Sequence, residues 1–338
     1  MPQKIAIIDP QFSDDLDLER SLAGDAYVFQ LLHPERGDVS HDRLADADAI
    51  IHCRSRNKMN AELIRVLDNV KIVVQAGVGV NHIDIAACSA RGIPVCNVPD
   101  YGTREIADHA IALLLNLRRG IAAYDERVRA SADGWSPFVL ALAPVHRLAA
   151  QTLGIVGLGA IGAAVALRAK AFGMNVVFYD PLIAPGVDLS LGITRVESLD
   201  ELWAVSDSIS LHCPLTDATR NLVGRATIAR MKPGVVLINT SRGEVVDLNA
   251  LEDGLRSGRI GAAGLDVTPI EPPDRSHPLV KAWIDREPWL EGRLLVTPHA
   301  AFFSPESVLD LRRLALKTVM DYLATGALRA CVNRRELT

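Results

Sequence analysis

The chain has 338 residues, with 36 basic and 41 acidic side chains and a formal net charge of −5. A chain of this length exceeds what one hydrophobic core usually serves, so two domains are expected. Because acidic and basic residues are interspersed without a basic block, the composition argues against direct nucleic-acid binding.

The cysteines and the apolar runs exclude further classes of protein. The five cysteines are scattered, odd in number and without a Cys-x-x-Cys pair. This pattern indicates neither a disulfide framework nor a bound metal, and it favours a reducing compartment, the cytoplasm. No apolar run approaches the roughly 20 residues of a membrane span, so we expect neither a membrane segment nor a signal peptide.

Short apolar runs alternate with amphipathic stretches in the first part of the chain. We predict strands at 5–8, 27–32, 49–53, 71–74 and 94–97, with helices that include 60–67 and 83–90. Such alternation predicts a parallel sheet with helices on both faces.

The ends of two of these strands carry candidate ligand-binding residues. The glycine loop 75–81 begins with Gln75 and includes Val78 and Gly79. Successive N–H groups in such a loop can bind an anion, here a carboxylate, although a plain β-to-α turn is the alternative. Arg54 and Arg56 follow another strand, where an open sheet binds ligands, but arginines on a loop are more often solvated.

The middle of the chain links this unit to a second one. Residues 104–119 have the apolar spacing of a long helix, and His109 on its apolar face is interpreted as a hydrogen-bonded core residue. We predict that residues 121–150 are irregular and form an arm suited to packing on a partner subunit.

A glycine fingerprint follows, between a predicted strand at 152–156 and a predicted helix at 163–172. It consists of Gly157, Gly159, Ala160, Ile161 and Gly162. The first glycine permits a tight turn, the second lets a pyrophosphate approach the backbone, and the third lets the helix lie close to the strand. The N–H groups of the helix N-terminus then face the phosphates.

An acidic residue stands where a dinucleotide site requires one. Asp180 ends the next strand, 18 residues after Gly162, and is placed to accept hydrogen bonds from both ribose hydroxyls. It would repel a 2′-phosphate, and no Lys or Arg follows before Arg195, so NAD is favoured over NADP. A glycine fingerprint alone is also compatible with plain turn chemistry, but the flanking strands, helix and acid favour dinucleotide binding.

Three polar residues follow consecutive strands of a second parallel sheet, which we predict in the second unit. They are Arg242, Glu271 and His299. If they face a nicotinamide, the arginine offers paired donors to the carboxylate and carbonyl of a 2-keto acid. The histidine donates a proton to the carbonyl oxygen as hydride arrives, and removes it in reverse. The glutamate orients the imidazole and favours its charged form. Each motif alone is compatible with an ordinary turn.

With these motifs, the sequence resembles the D-isomer-specific 2-hydroxyacid dehydrogenases over nearly its whole length. The matching segments are 157–162, 212–214, 239–247, 264–272 and 297–299. The resemblance implies an α/β fold of two doubly wound parallel-sheet domains. In this fold a Rossmann NAD-binding domain, residues 101–298, is inserted into a discontinuous flavodoxin-like substrate domain, residues 1–100 and 299–338.

The resemblance also implies site residues and a homodimer joined through the NAD domains. The cofactor site would comprise Gly157, Gly159, Ala160, Ile161, Gly162, Asp180, His212, Cys213, Pro214, Thr240, Ser241, Arg242, Asp266 and His299. The substrate site would comprise Arg54, Gln75, Val78, Gly79 and Phe302. The implied activity is NAD-dependent interconversion of a D-2-hydroxy acid and its 2-keto acid.

Within the family the closest likeness is to the C-terminal-binding proteins, which are NAD-binding corepressors, through segments 166–173, 179–181 and 331–338. Those proteins have arginine where Gln75 stands and tryptophan where Phe302 stands. The segment before His299 is longer here, and Trp283 and Trp289 within it either cover the pocket or, as we favour, pack between subunits. Two alternatives to the leading function remain: an NAD-sensing scaffold that binds protein partners, and an enzyme like phosphoglycerate dehydrogenase, whose substrate domain the segment 54–56 resembles.

Overall fold

The structure is a computed structural model that describes residues 2–10, 12, 16–33, 43–53, 58–138, 140 and 144–337. The chain divides into two compact units. Unit 1 comprises Met1–Gly102 and Phe303–Thr338, and unit 2 comprises Thr103–Phe302. The assignment of unit 1 as a substrate domain stays a prediction.

Strands and helices alternate along both units. The strands of the described residues are β1 (Gln3–Ile8), β2 (Tyr27–Leu32), β3 (Ala49–His52), β4 (Ile72–Gln75), β5 (Val95–Asn97), β6 (Thr152–Val156), β7 (Asn175–Tyr179), β8 (Thr194–Arg195), β9 (Ser208–Leu211), β10 (Val235–Asn239), β11 (Ile260–Leu265) and β12 (Leu294–Val296). The helices are α1 (Asp17–Ala23), α2 (Ala61–Arg65), α3 (Ile85–Ala90), α4 (Thr103–Arg119), α5 (Ile121–Ala130), α6 (Ala160–Ala171), α7 (Val187–Leu191), α8 (Leu199–Val205), α9 (Arg225–Arg230), α10 (Leu248–Arg256), α11 (Pro278–Ile284) and α12 (Pro305–Thr325).

Unit 1 contains a parallel sheet in the order β2-β1-β3-β4-β5. Successive side chains of β1 enter two different apolar clusters: Ile5 and Ile7 pack in one, Ala6 and Ile8 in the other. A strand buried on both faces requires helices on both sides of its sheet, so the predicted doubly wound fold is confirmed here. Helix α12 belongs to this unit, because Leu311 packs in the same cluster as Ile5.

Unit 2 contains a parallel sheet in the order β12-β11-β10-β9-β6-β7-β8. The strand order reverses beside β6, and in an open α/β sheet this switch point is where a dinucleotide binds. Pairing aligns the carboxyl ends of three strands, because Asn239 pairs with Leu265 and Leu265 pairs with Val296. The residues that follow β10, β11 and β12 therefore start from one edge of the sheet.

The prediction of an irregular segment at 121–150 was wrong for its first ten residues, which form α5. Gly120, at φ 64°, separates α5 from α4, and this break was interpreted as the end of helical structure. The helix after it is supported by an Arg129–Asp125 ion pair of 2.8 Å at helical spacing.

None of the helices in the described ranges combines the length and the apolar character needed to cross a bilayer.

Candidate functional site

The glycine turn after β6 is shaped by close backbone contacts. Gly157 adopts φ +90°, and a Cβ there would lie 2.8 Å from the main-chain nitrogen of Cys213. A Cβ on Gly162 would lie 2.2 Å from the carbonyl oxygen of Gly157, whereas one on Gly159 would have no neighbour within 4 Å. The outer glycines are therefore required by the fold, and Gly159 leaves open space where a ligand can approach.

Helix α6 begins in that open space. Gly159 is its N-cap residue in an extended conformation, and Ala160 and Ile161 form its first turn. Glycine has no side chain to cap the first N–H groups, so these donors stay available to an anion such as a pyrophosphate.

These contacts predict that an added methyl group has different effects at Gly162 and at Gly159. Gly162→Ala is expected to lower the free energy of unfolding by more than about 2 kcal/mol, because its Cβ overlaps a backbone oxygen. Gly159→Ala should cost less than about 1 kcal/mol but weaken NADH binding about tenfold or more. Thermal unfolding and NADH fluorescence titration of both variants test this. A Gly159→Ala protein that binds NADH like the wild type would contradict the placement of the phosphates.

The carboxylate of Asp180 is fixed beside this turn. Its Oδ2 accepts a hydrogen bond from the Leu158 N–H at 2.8 Å and its Oδ1 accepts one from the Leu182 N–H at 2.9 Å. The nearest downstream base, Arg195, packs over the Phe178 ring at 4.9 Å and donates to main-chain carbonyls. The arginine also donates to the Asp180 main-chain carbonyl at 3.4 Å, so it lies beside the backbone of the aspartate. The carboxylate is held by two N–H groups, which suits it to accept ribose hydroxyls, as NAD requires.

His212, Cys213 and Pro214 follow β9, and the backbone of the first two lies against Gly157 of the glycine turn. The His212 Nε2 is 2.8 Å from the Ser210 hydroxyl, and burial lowers the pKa of His212 to about 4. Burial raises the pKa of Cys213 to about 11. Near neutral pH both side chains are uncharged, so they suit packing against a cofactor rather than proton transfer or nucleophilic attack.

The loop after β10 is held by one buried amide. The Oδ1 of Asn239 accepts from the N–H and hydroxyl of Ser241, at 3.0 and 2.8 Å, and its Nδ2 donates to the Arg242 carbonyl at 2.8 Å. Thr240 is buried and Arg242 is half-buried. A Cβ on Gly243 would lie 1.9 Å from the Thr268 carbonyl carbon, so this loop packs directly on the loop after β11.

Asp266 anchors the loop after β12. Its side chain is almost fully buried, and its Oδ1 accepts from the Thr297 hydroxyl at 2.6 Å and the Ala300 N–H at 2.8 Å. Its carbonyl accepts from the His299 N–H at 2.8 Å. His109, predicted to be a hydrogen-bonded core residue, lies with its Nε2 2.9 Å from the Thr297 hydroxyl oxygen. The aspartate therefore fixes the backbone that carries His299.

His299 and Glu271 form a direct pair. The His299 Nδ1 lies 2.7 Å from Glu271 Oε2, and Glu271 Oε1 accepts from the Thr268 N–H at 3.3 Å. Because an ionised carboxylate can only accept, the Nδ1 carries the proton and Nε2 is left to exchange a proton with a ligand. The two side chains are 38% and 36% exposed, so a ligand can reach them. The Phe302 ring packs edge-on against the imidazole, with centroids 6.5 Å apart.

The predicted substrate residues of unit 1 form a separate group. Gln75 is buried, and its Oε1 accepts from His82 Nε2 at 2.7 Å and from His52 Nδ1 at 3.2 Å. Among the described residues of unit 1, no main-chain oxygen accepts from the N–H groups of Val78 and Gly79. These donors suit a carboxylate, and binding of one by the glycine loop stays a prediction. Arg54 lies outside the described residues.

The structure therefore brings Arg242, Glu271 and His299 to the loops of one sheet edge, and it adds two residues that the sequence analysis did not single out. Asn239 fixes the arginine loop and Thr297 fixes the histidine loop. Both were inside the matching motifs, but their roles depend on side-chain directions that residue spacing does not give.

Comparisons with known proteins identify a family for this chain. A family model described as D-isomer specific 2-hydroxyacid dehydrogenase, NAD binding domain, matches residues 111–301. The chain is 40% identical over 262 residues to D-3-phosphoglycerate dehydrogenase of Mycobacterium leprae, covering 78% of this chain and 46% of that protein. The chain spans about half the length of the curated relatives it matches.

Solved structures are similar over nearly the whole chain. A glyoxylate reductase from Paecilomyes thermophila has 28% identity and a TM-score of 0.84, covering 99% of this chain and 100% of that one. D-lactate dehydrogenase from Aquifex aeolicus, complexed with NAD and lactic acid, has 28% identity and a TM-score of 0.81, covering 95% of each chain.

The residues of this chain fit the NAD of the matched domain. Gly159 leaves room for a pyrophosphate at the start of α6, and the Asp180 carboxylate is already oriented by two N–H groups. The predicted cofactor, NAD, is therefore confirmed by the matched domain and agrees with these contacts.

Proposed function

The chain belongs to the D-isomer-specific 2-hydroxyacid dehydrogenase family, and we propose that it interconverts a D-2-hydroxy acid and its 2-keto acid with NAD. One observation carries the proposal. The imidazole of His299 is held by Glu271 at 2.7 Å, and Arg242 follows a strand of the same sheet edge. An acid/base group and a paired donor are the two functions that reduction of a keto acid requires.

Each side chain has a defined task in this reaction. Bound as NADH, the cofactor would supply the hydride in reduction, and as NAD⁺ it would accept a hydride in oxidation. His299 Nε2 gives a proton to the carbonyl oxygen in reduction and takes the hydroxyl proton in oxidation. Glu271 holds the ring through Nδ1, and the Arg242 guanidinium binds the substrate carboxylate and the developing oxyanion. The Val78 and Gly79 N–H groups, which the family resemblance assigns to the substrate carboxylate, stay predicted donors.

A phosphoglycerate-dehydrogenase-like activity is the second candidate, and the 40% identity to the mycobacterial enzyme favours it. Such a substrate carries a second anion, which needs a base beyond Arg242. Gln75, whose amide oxygen accepts from two histidines, supplies no positive charge at the end of β4. This observation favours a substrate without a second anionic group beside Gln75, while the Arg54–Arg56 segment that could bind one lies outside the described residues. Gln75 and Phe302 stay predicted substrate residues.

A panel of keto acids separates these candidates. Oxidation of NADH by the purified protein is followed at 340 nm with glyoxylate, pyruvate, hydroxypyruvate, phenylpyruvate and 3-phosphohydroxypyruvate. We expect faster turnover with keto acids whose side chains are uncharged than with 3-phosphohydroxypyruvate. The reverse order would favour the phosphoglycerate activity, and no turnover with tight NADH binding would favour the NAD-sensing scaffold.

We also propose a homodimer. In the arm that follows α5, Trp135 and Phe138 are 82% and 92% exposed, which is typical of side chains that pack on a partner. Sedimentation of the wild type and a Trp135→Ser, Phe138→Ser variant tests this assembly. Assignment to the C-terminal-binding protein branch stays a prediction.

A further inference from the structure

The segment after α12 pairs with the edge strand of unit 1. The Val332 N–H donates to the Val95 carbonyl at 2.8 Å, and the Asn97 N–H donates to the Ala330 carbonyl at 3.2 Å. These two bonds flank the antiparallel pair Cys96 and Cys331. The two cysteines therefore form a non-hydrogen-bonded pair, in which side chains share one face and the Cα atoms are about 4.5 Å apart.

This pairing suits a disulfide. Bridged cysteines have Cα atoms about 4.4–6.8 Å apart, and their Cβ atoms must point towards each other. Both side chains enter the apolar cluster on the same face of the unit 1 sheet. Cys331 lies close enough to contribute to the raised pKa of Cys96, and its thiol donates to the Asn333 Oδ1 at 3.3 Å.

The backbone around the pair is held in place by Asn333. Its Oδ1 accepts from the Val95 N–H at 2.9 Å and its Nδ2 donates to the Ile93 carbonyl at 3.0 Å. The Asn333 side chain is buried, so these bonds are shielded from water. A covalent link between the two sulfurs thus requires little movement of either segment.

The two thiols differ in access. Cys96 is fully buried, and burial raises its pKa to about 12. Cys331 is half-buried and can be reached from solvent. The reaction therefore begins at Cys331, since a small reagent contacts this sulfur first.

We propose that Cys96 and Cys331 are a thiol–disulfide modification site that low-molecular-weight disulfides oxidise reversibly. The Cys331 thiolate attacks one sulfur of oxidised glutathione, which forms a mixed disulfide and releases one glutathione thiolate. The Cys96 sulfur, after loss of its proton, then attacks Cys331 Sγ and releases the second glutathione. The pair loses two electrons and two protons, and oxidised glutathione becomes two reduced molecules.

The link would act on a loop of the proposed substrate site. Asn97 follows Cys96, and its Nδ2 donates to the Val78 carbonyl at 2.6 Å. The Val98 N–H donates to the Gly77 carbonyl at 3.0 Å. The disulfide would clamp β5 to the C-terminal segment next to these bonds, and oxidised protein should melt at a higher temperature than reduced protein.

Peptide mapping tests the site. The full-length protein is incubated with oxidised glutathione, alkylated under denaturing conditions, digested and analysed by mass spectrometry. We expect one peptide pair joined through Cys96 and Cys331, about 2 Da lighter than the two thiol peptides together, which disappears after dithiothreitol. The melting temperature of the oxidised protein should be raised and should return on reduction.

Two variants serve as controls. Cys331→Ser should abolish the linked peptides and the rise in melting temperature. Cys88→Ala should change neither, although Cys88 is also fully buried in unit 1 and its pKa is likewise raised to about 12. Recovery of Cys96 as an alkylated thiol, with Cys331 either free or glutathionylated, would overturn the proposal. Linked peptides with a lowered melting temperature would overturn the fit of the bond to the native backbone.

Discussion

His299→Gln is expected to lower kcat for keto-acid reduction by about 10²- to 10⁴-fold, because glutamine can donate a hydrogen bond but cannot transfer a proton. The substitution keeps a polar side chain of similar size, and the His299 backbone is held independently by the Asp266 carbonyl at 2.8 Å. The loop should therefore stay in place. Steady-state assays at saturating NADH, together with NADH fluorescence titration, separate the loss of turnover from any loss of cofactor affinity.

Glu271→Gln provides the matched variant for the same pair. With its amide oxygen on the Thr268 N–H, the glutamine would present an NH₂ group to His299 Nδ1, where the wild type presents a carboxylate oxygen. We expect kcat to fall by less than in His299→Gln, because the imidazole is kept but its orienting acceptor is lost. Wild-type turnover in His299→Gln, with NADH bound normally, would exclude this histidine as the acid/base.

The fold could be predicted because its two sequence signals, the apolar runs and the glycine positions, are both local. Alternating apolar runs predicted the sheets, and the glycines at 157, 159 and 162 predicted the turn before α6. Helix α5 was missed because Gly120 resembles a helix end, while the residues that stabilise α5 come after it. Predicted bounds also differed by a few residues: α6 spans Ala160–Ala171, although 163–172 had been predicted.

The site was predictable in its residues but not in its contacts. Parallel strands place their carboxyl ends at one edge, so Arg242, Glu271 and His299 could be grouped without a structure. The sequence did not show that Asp266 fixes the histidine loop or that Gln75 accepts from two histidines. Both depend on side-chain directions and on residues far apart in the chain.

The same limit applies to the thiol pair. Cys96 and Cys331 are far apart in the chain, and an odd number of scattered cysteines argued against a disulfide framework. Their proximity arises only when the segment after α12 pairs with β5. A disulfide framework and one oxidisable pair are different properties, and only the first can be judged from cysteine spacing.

Arg242→Ala is expected to reduce kcat/KM for the keto acid by about 10²-fold, equivalent to roughly 3 kcal/mol of transition-state stabilisation. Arg242→Lys should recover only part of this loss, because an ammonium group restores the charge without the planar paired donors. Arg242→Ala removes the bond from the guanidinium Nη1 to the Ser241 carbonyl, 2.7 Å in the wild type. The loop should still keep its shape in both variants, because the Asn239 amide bonds to the Ser241 and Arg242 backbone.

Arg225→Ala is the control for removal of an arginine charge from unit 2. Its guanidinium is exposed and pairs with Asp253 at 2.7 Å on the neighbouring helix α10, so kcat/KM should stay within about twofold of the wild type. NADH affinity should change little in Arg225→Ala. In Arg242→Ala, NADH affinity should fall much less than kcat/KM does. If Arg242→Ala kept the wild-type kcat/KM, the proposed role of Arg242 would be wrong.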